Sequence, residues 1–180
     1  MKETISSEKP WWEQFSHFFT PQEIPAKTTL LQEGQVSKTA YFIEKGCLRL
    51  SFNNNGKDIT FQFFFEGEIV SSIESFRGNQ PSLFSLESIE PSVVRSVSKI
   101  DMESIFVTSP EIKSAIEEQT FQRLIFYQKL FLSRIKDNPE KRYNELLTEY
   151  PQILQRVPQH YIASYLGITP VSLSRIRNRR

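Results

Sequence analysis

The sequence predicts an α+β protein: an N-terminal antiparallel β-barrel or jelly roll, one long helix, and a C-terminal module built of helices alone. Three observations carry this. Between about residues 24 and 98, short runs of period-two hydrophobicity alternate with Gly- and Asn-containing turns. From Pro110 to about Lys136 apolar residues recur at helical spacing. Asn138-Pro139 then breaks the pattern, and shorter helical segments punctuated by Pro151 and Pro158 follow.

Composition sets the outer limits. With 180 residues, 38% of them hydrophobic, the chain can bury a sizeable core, and its net charge is only +1. No run approaches the apolar length that spans a bilayer, and the first residues show no secretory signal, so a cytoplasmic location without membrane contact is expected. Cys47 is the single cysteine, which excludes an intramolecular disulfide and an all-cysteine metal cluster. In its strand-like setting it reads as a buried structural thiol.

Taken in order, Trp11, Trp12, Phe15, Phe18 and Phe19 are spaced as one apolar helical face packed on the domain. Strands are expected at residues 28–31, 40–44, 47–52, 59–65, 68–70, 83–88 and 92–98. Between them lie Glu33-Gly34, Lys45-Gly46, Asn55-Gly56, Glu66-Gly67 and Gly78-Asn79, and Asn55-Gly56 is the best hairpin signal. Strict alternation would put Phe61, Phe63 and Phe65 on one face. Asp101 is expected to cap a short helix over 102–107, and Ser109-Pro110-Glu111 to open the long one. On that helix Ile112, Ile116, Tyr127 and Leu130 form one stripe, and Phe121, Leu124, Phe131 and Ile135 a neighbouring one. One can lie on the barrel and the other on a partner helix, giving a homodimer; one broad face buried within the monomer is the alternative. The expected divisions are 1–109 for the N-terminal helix and barrel, 110–137 for the long helix, and 138–180 for the terminal module.

The terminal residues, from Gln159 on, read as a helix-turn-helix. Ile162, Ala163 and Leu166 share one face of a short helix, and Ala163 permits close approach of a second. Gly167 supplies the turn. Thr169 caps a second helix that starts at Pro170 and buries Leu173 and Ile176. The opposite side carries Val171, Ser174, Arg175 and Asn178, flanked by Ser172 and Arg179. With four arginines and no acidic residue after Gln159, this basic end has the electrostatic footprint of double-stranded DNA contact. A solvated basic hairpin is the bland reading of the same residues.

Barrel, long helix, Pro-broken hinge and terminal helix-turn-helix, in that order, resemble the Crp/Fnr family of bacterial transcription regulators over about residues 20–180. The matching residues are Gly34 and Gly46 around Ala40-Tyr-Phe-Ile-Glu-Lys-Gly, then Gly67-Glu-Ile-Val, Ile162-Ala-Ser-Tyr-Leu-Gly-Ile-Thr and Leu173-Ser-Arg-Ile. The resemblance implies a cyclic-nucleotide-binding-like barrel and a homodimer on a near-palindromic site. It implies that Arg175 reads a base edge, that Thr169 and Ser172 touch phosphates, and that Val171 meets a thymine methyl or reads weakly.

Two departures shape the expectation. Where nucleotide-binding relatives hold the phosphate with Gly-Glu and Arg-Ser/Thr-Ala, this chain has Ser71-Ser72 and Ser82-Leu83-Phe84. Without the arginine, cyclic AMP is not expected to bind in the family's way, and Leu83 and Phe84 would bring apolar bulk to the place. Ser71, Ser72, Ser82 and Leu83 are then candidates for lining the pocket of an unknown, less anionic effector, with Arg77 nearby as a solvated loop residue. The sequence also stops at Arg180, so the β-wing of many relatives is expected to be missing, with terminal arginines supplying phosphate contacts.

Other chemistries are poorly supplied. An iron–sulfur cluster needs several cysteines, and His17 and His160 stand where structural or solvated histidines are commoner than haem ligands, so no cofactor is expected. A cupin-type metal enzyme needs histidines in the barrel, where there are none, and no nucleophile-base pair appears. The chain is therefore not expected to be an enzyme; the competing class is a ligand-sensing or protein-interaction module that lacks DNA binding.

Overall fold

Two antiparallel four-stranded sheets share one core in the computed structural model, which describes residues 11–178. A 3-10 helix, Trp11–Phe18, precedes β1 (Thr20–Ile24), β2 (Thr29–Leu31), β3 (Thr39–Lys45), β4 (Leu48–Asn54), β5 (Lys57–Phe64) and β6 (Ile69–Val70). Then come α1 (Ile73–Gly78), β7 (Ser85–Ser88), β8 (Ser92–Ser98), α2 (Lys99–Thr108) and α3 (Pro110–Lys136). The last elements are α4 (Pro139–Glu149), α5 (Ile153–Arg156), α6 (Gln159–Leu166) and α7 (Pro170–Asn178).

The strand orders are β1-β8-β3-β6 and β2-β7-β4-β5. The sheets are not closed into the barrel that the strand count suggested. Each keeps two edges, because β2 has three residues, β6 has two, and β1 carries Pro21. Such strands end a ladder rather than continue it. β1 and α1 escaped the sequence reading altogether: Thr-Pro-Gln-Glu-Ile has no clean alternation, and six residues are too few for a helical period to show.

Most other elements match expectation within a few residues. Asn55 and Gly56 both have positive φ, as a tight hairpin requires, and the Gly56 amide donates to Asn53 Oδ1 at 2.7 Å. At the start of α2, Ser98 and not Asp101 is the cap; the Asp101 amide donates to Ser98 Oγ at 3.1 Å. The N-terminal aromatics occupy a 3-10 helix rather than an α-helix, which suits the threefold spacing of Trp12, Phe15 and Phe18. The side chain of Trp11 and residues 1–10 lie outside the described residues.

The larger correction concerns the aromatic run. Leu50 pairs with Gln62 while Ser51 pairs with Thr60, so Phe61 is an extra residue in β5. A one-residue bulge reverses the alternation. Phe61 and Phe64 therefore join the core between the sheets, with Ile43, Leu48, Leu50, Leu86 and Val94. Phe63 and Phe65 join a different cluster beneath the C-terminal helices, with Tyr143, Leu146, Ile153, Ile162, Tyr165 and Leu173. Cys47 also lies there, fully buried, and burial pushes its thiol up, which keeps it protonated and unreactive. A third cluster joins Trp12, Phe15 and Phe19 to Val97, Met102, Ile105 and Ile112.

The terminal module is thus packed on the outer face of β5 rather than tethered to it. The Thr60 amide donates to Ser164 Oγ at 2.9 Å, and Ser164 Oγ donates to the Asp58 carbonyl at 3.1 Å. Arg49, 3% exposed, donates to Asp58 at 2.6 and 3.0 Å, to Glu87 at 3.0 Å and to Thr60 at 2.9 Å. Its guanidinium carbon stands 4.0 Å from the Tyr161 ring centroid. Arg156, just before α6, is held by Glu66 and Glu90. Gly46 makes room behind this region: a Cβ there, at φ +109°, would fall 2.1 Å from Ser92 Oγ.

Arg49→Met removes one partner from a buried charge cluster and leaves Glu87, 17% exposed, uncompensated. A loss of about 3 kcal/mol is expected in urea denaturation. The second prediction concerns acid. Burial raises the Glu66 carboxyl, but hydrogen bonds from Arg156 and the Gly46 amide outweigh it and hold the group at about 2. A carboxylate depressed in the folded state contributes stability above its unfolded value near 4.5, and this is lost as pH falls toward 2. Titrating stability between pH 5 and pH 2 should show this loss in wild type and a shallower one in Glu66→Gln.

Candidate nucleic-acid interface

α6 and α7 form a short helical pair whose turn is fixed at both sides. Gly167 is left-handed, φ +68°, and a Cβ there would approach Arg134 Nη1 to 2.7 Å. The reason for that crowding is functional for the fold: Arg134 donates to the Tyr165 carbonyl, and Arg142 donates to the Leu166 carbonyl at 3.0 Å. Two guanidiniums from α3 and α4 thus satisfy carbonyls at the C-terminus of α6, where positive charge is favoured. Arg142 also donates to the Asp137 carbonyl at 2.6 Å, tying the hinge to the same point.

Beyond the turn, Thr169 Oγ1 accepts from the Ser172 amide at 3.1 Å, the cap that the sequence predicts. Leu173 is fully buried and Ile176 half-buried against Ile162, Ala163 and Leu166. Thr169, Val171, Ser174, Arg175 and Asn178 are exposed and Ser172 is half-buried, so these side chains share the outward side of α7. Arg177 is half-buried on the flank. Arg179 and Arg180 lie outside the described residues.

The effector candidates divide differently. Ser72 and Ser82 are buried, and their hydroxyls are used within the fold: Ser82 Oγ lies 2.9 Å from Ser72 Oγ and 2.7 Å from the Phe84 carbonyl. Ser71 and Ser72 border a cavity of about 160 Å³ with Leu31, Tyr41 and Leu86. Leu83 is 66% exposed and brings no bulk to this place, contrary to expectation. Phe84, the other residue expected there, does turn toward the core, edge-on to Phe61 at 5.2 Å, with Tyr127 of α3 at 6.5 Å from Phe61. Arg77 is exposed. Sequence reasoning missed Phe61 and Tyr127 at this spot because the bulge that turns Phe61 inward has no signature in the alternation.

α3 presents its two stripes as expected. Ile112 is buried, Ile116, Tyr127 and Leu130 are half-buried, and Phe121, Leu124, Phe131 and Ile135 are 52–70% exposed. Burial of both stripes within one chain is thereby excluded. Among the described residues no helix is long and apolar enough to cross a membrane.

Paired sheets, a long helix and a terminal helical pair thus follow one another along the chain. Residues 21–109 match the family described as the cyclic nucleotide-binding domain. The chain is similar in structure to the c-di-GMP-responsive global regulator CLP of Xanthomonas campestris, with TM-score 0.76 and 17% identity over 93% of this chain and 88% of that one. FixK2 of Bradyrhizobium japonicum gives 0.77 and 16%, covering 89% of this chain and 83% of its own. The catabolite activator protein of Thermus thermophilus gives 0.61 and 16%, covering 97% and 84%. These neighbours are Crp/Fnr-family regulators, and at such identities the likeness is one of fold. Among curated proteins none matches the chain.

Proposed function

We propose that this protein is a homodimeric, DNA-binding transcription regulator whose nucleotide-binding-like domain does not take cyclic AMP. The observation that carries the reading is α7: a capped helix, seated by Leu173 and Ile176, whose outward side offers Val171, Ser174, Arg175 and Asn178 to solvent. Such a helix enters a major groove, with Arg175 placed to bind a guanine edge and Thr169 and Ser172 to meet phosphate at the helix start. Ser174 and Asn178 supply further polar contacts, Val171 packs on a thymine methyl, and Arg179, outside the described residues, adds one more positive charge for the phosphate backbone.

The exposed stripe of α3 supports the dimer, because Phe121, Leu124, Phe131 and Ile135 form an apolar face along one long helix, the seam that a second copy buries. The cavity at Ser71 and Ser72 supports the exclusion of cyclic AMP. The cavity that both serines border is smaller than the roughly 300 Å³ at which ligand pockets begin, the Ser72 hydroxyl is engaged by Ser82, and no arginine borders it. Any effector there is small and weakly anionic.

Selection from a random duplex library at two salt concentrations tests the reading. Wild type should enrich a two-fold symmetric site. Arg175→Ala should lose about 1–3 kcal/mol of discrimination at one position of each half-site. Phe131→Glu should sediment as a monomer and lose the two-fold site. A folded protein without salt-dependent affinity for any duplex would instead be a ligand-sensing or protein-interaction module of the same fold.

A further inference from the structure

A second cleft, of about 370 Å³, lies between β5, the turn before β6, one flank of α3 and the end of α4; Gln62, Glu68, Glu118, Arg123, Phe126 and Tyr150 border it. It shares no residue with the cavity at Ser71 and Ser72. Its α3 residues lie roughly opposite the exposed stripe around the helix. A second copy seated on Phe121 and Phe131 would leave it open.

Gln62 breaks a rule of folded interiors. The residue is 4% exposed and its Oε1 has no hydrogen-bond partner, although neighbouring buried Thr60 is fully engaged. A leucine at the same place would fill similar volume without an orphaned acceptor. Such violations concentrate where a ligand supplies the missing partner. The flanking charges narrow its chemistry. Glu68 and Glu118 oppose a plain anion, whereas Arg123, fixed by its bond to the Ile69 carbonyl at 3.0 Å and by the Phe64 ring, opposes a plain cation. A ligand carrying both signs matches both. Phe126 and Tyr150 add aromatic surface for an apolar group, and the volume suits a single small metabolite.

We infer that this cleft binds a free α-amino acid with an apolar or aromatic side chain, its ammonium donating to Gln62 Oε1 and its carboxylate paired with Arg123. Because Gln62 belongs to a sheet, Arg123 to α3 and Tyr150 to the end of α4, the ligand would bridge sensor and terminal module. An effect on DNA rests on the function proposed above; the binding itself does not.

Calorimetry and thermal unfolding of the full chain with each standard amino acid as probe test this directly. At least one apolar or aromatic amino acid should bind saturably and raise Tm, and its N-acetyl and carboxamide forms should bind at least tenfold more weakly. Gln62→Leu should keep or raise the unliganded Tm yet lose at least tenfold in affinity. Gln119→Trp, an exposed substitution at the mouth, should lose as much. No saturable binding by any amino acid, unchanged affinity in both variants, or a Gln62→Leu protein that unfolds at lower temperature or fails to fold would overturn the assignment. Failure to bind DNA would leave these readouts untouched.

Discussion

Arg49 projects from the outer face of its sheet into a site where Asp58, Glu87 and Thr60 accept its hydrogen bonds and Tyr161 of the terminal module covers its guanidinium. A desolvated arginine is tolerable only when its charge is matched, and here both terminal nitrogens are, by two carboxylates and a hydroxyl. Sheet and module therefore come as one piece: removing α6 would expose the charge and uncover Phe63, which lies against Tyr165. Arg156 with Glu66 and Glu90, and Ser164 between Asp58 and Thr60, repeat the arrangement around the same apolar patch. The placement of α7 follows, since α7 rests on α6 and α6 rests on β5.

The long helix divides its surface between three tasks. Ile112, Ile116 and Tyr127 face the sheets, Arg134 near its end holds the α6 carbonyl, and Phe121, Leu124, Phe131 and Ile135 remain outside. Any displacement of α3 is therefore felt at the α6–α7 turn through Arg134, and at the hinge through the Asp137 carbonyl that Arg142 grips. A signal needs no separate wire in such a structure, only two positions of one helix that a ligand distinguishes by affinity.

Much of this was legible in the sequence because it is written in local chemistry. Gly167, Thr169 and Pro170 specify the turn and cap of the terminal pair without help from distant residues, and Asn138-Pro139 specifies the hinge. The double stripe on α3 is likewise a matter of spacing. What the sequence concealed depends on partners far along the chain. The bulge at Phe61 arises from pairing with β4, so period-two counting placed three aromatics together that the structure separates. Leu83 looked like pocket filling until the turn carrying it pointed it into solvent. The open sheet edges depend on how short β2 and β6 become, and the role of Gln62 on its Oε1 being left without a partner once buried. The docking of Tyr161 on Arg49, more than a hundred positions apart, has no local signal at all.

Hydrogen exchange measured by mass spectrometry on the intact chain tests most directly whether sheets and terminal module are one cooperative unit. The account predicts that peptides from β5 and α6 share one opening free energy close to that of global unfolding. Rapid exchange of α6 and α7 through a low-energy opening, with β5 still protected, would contradict it.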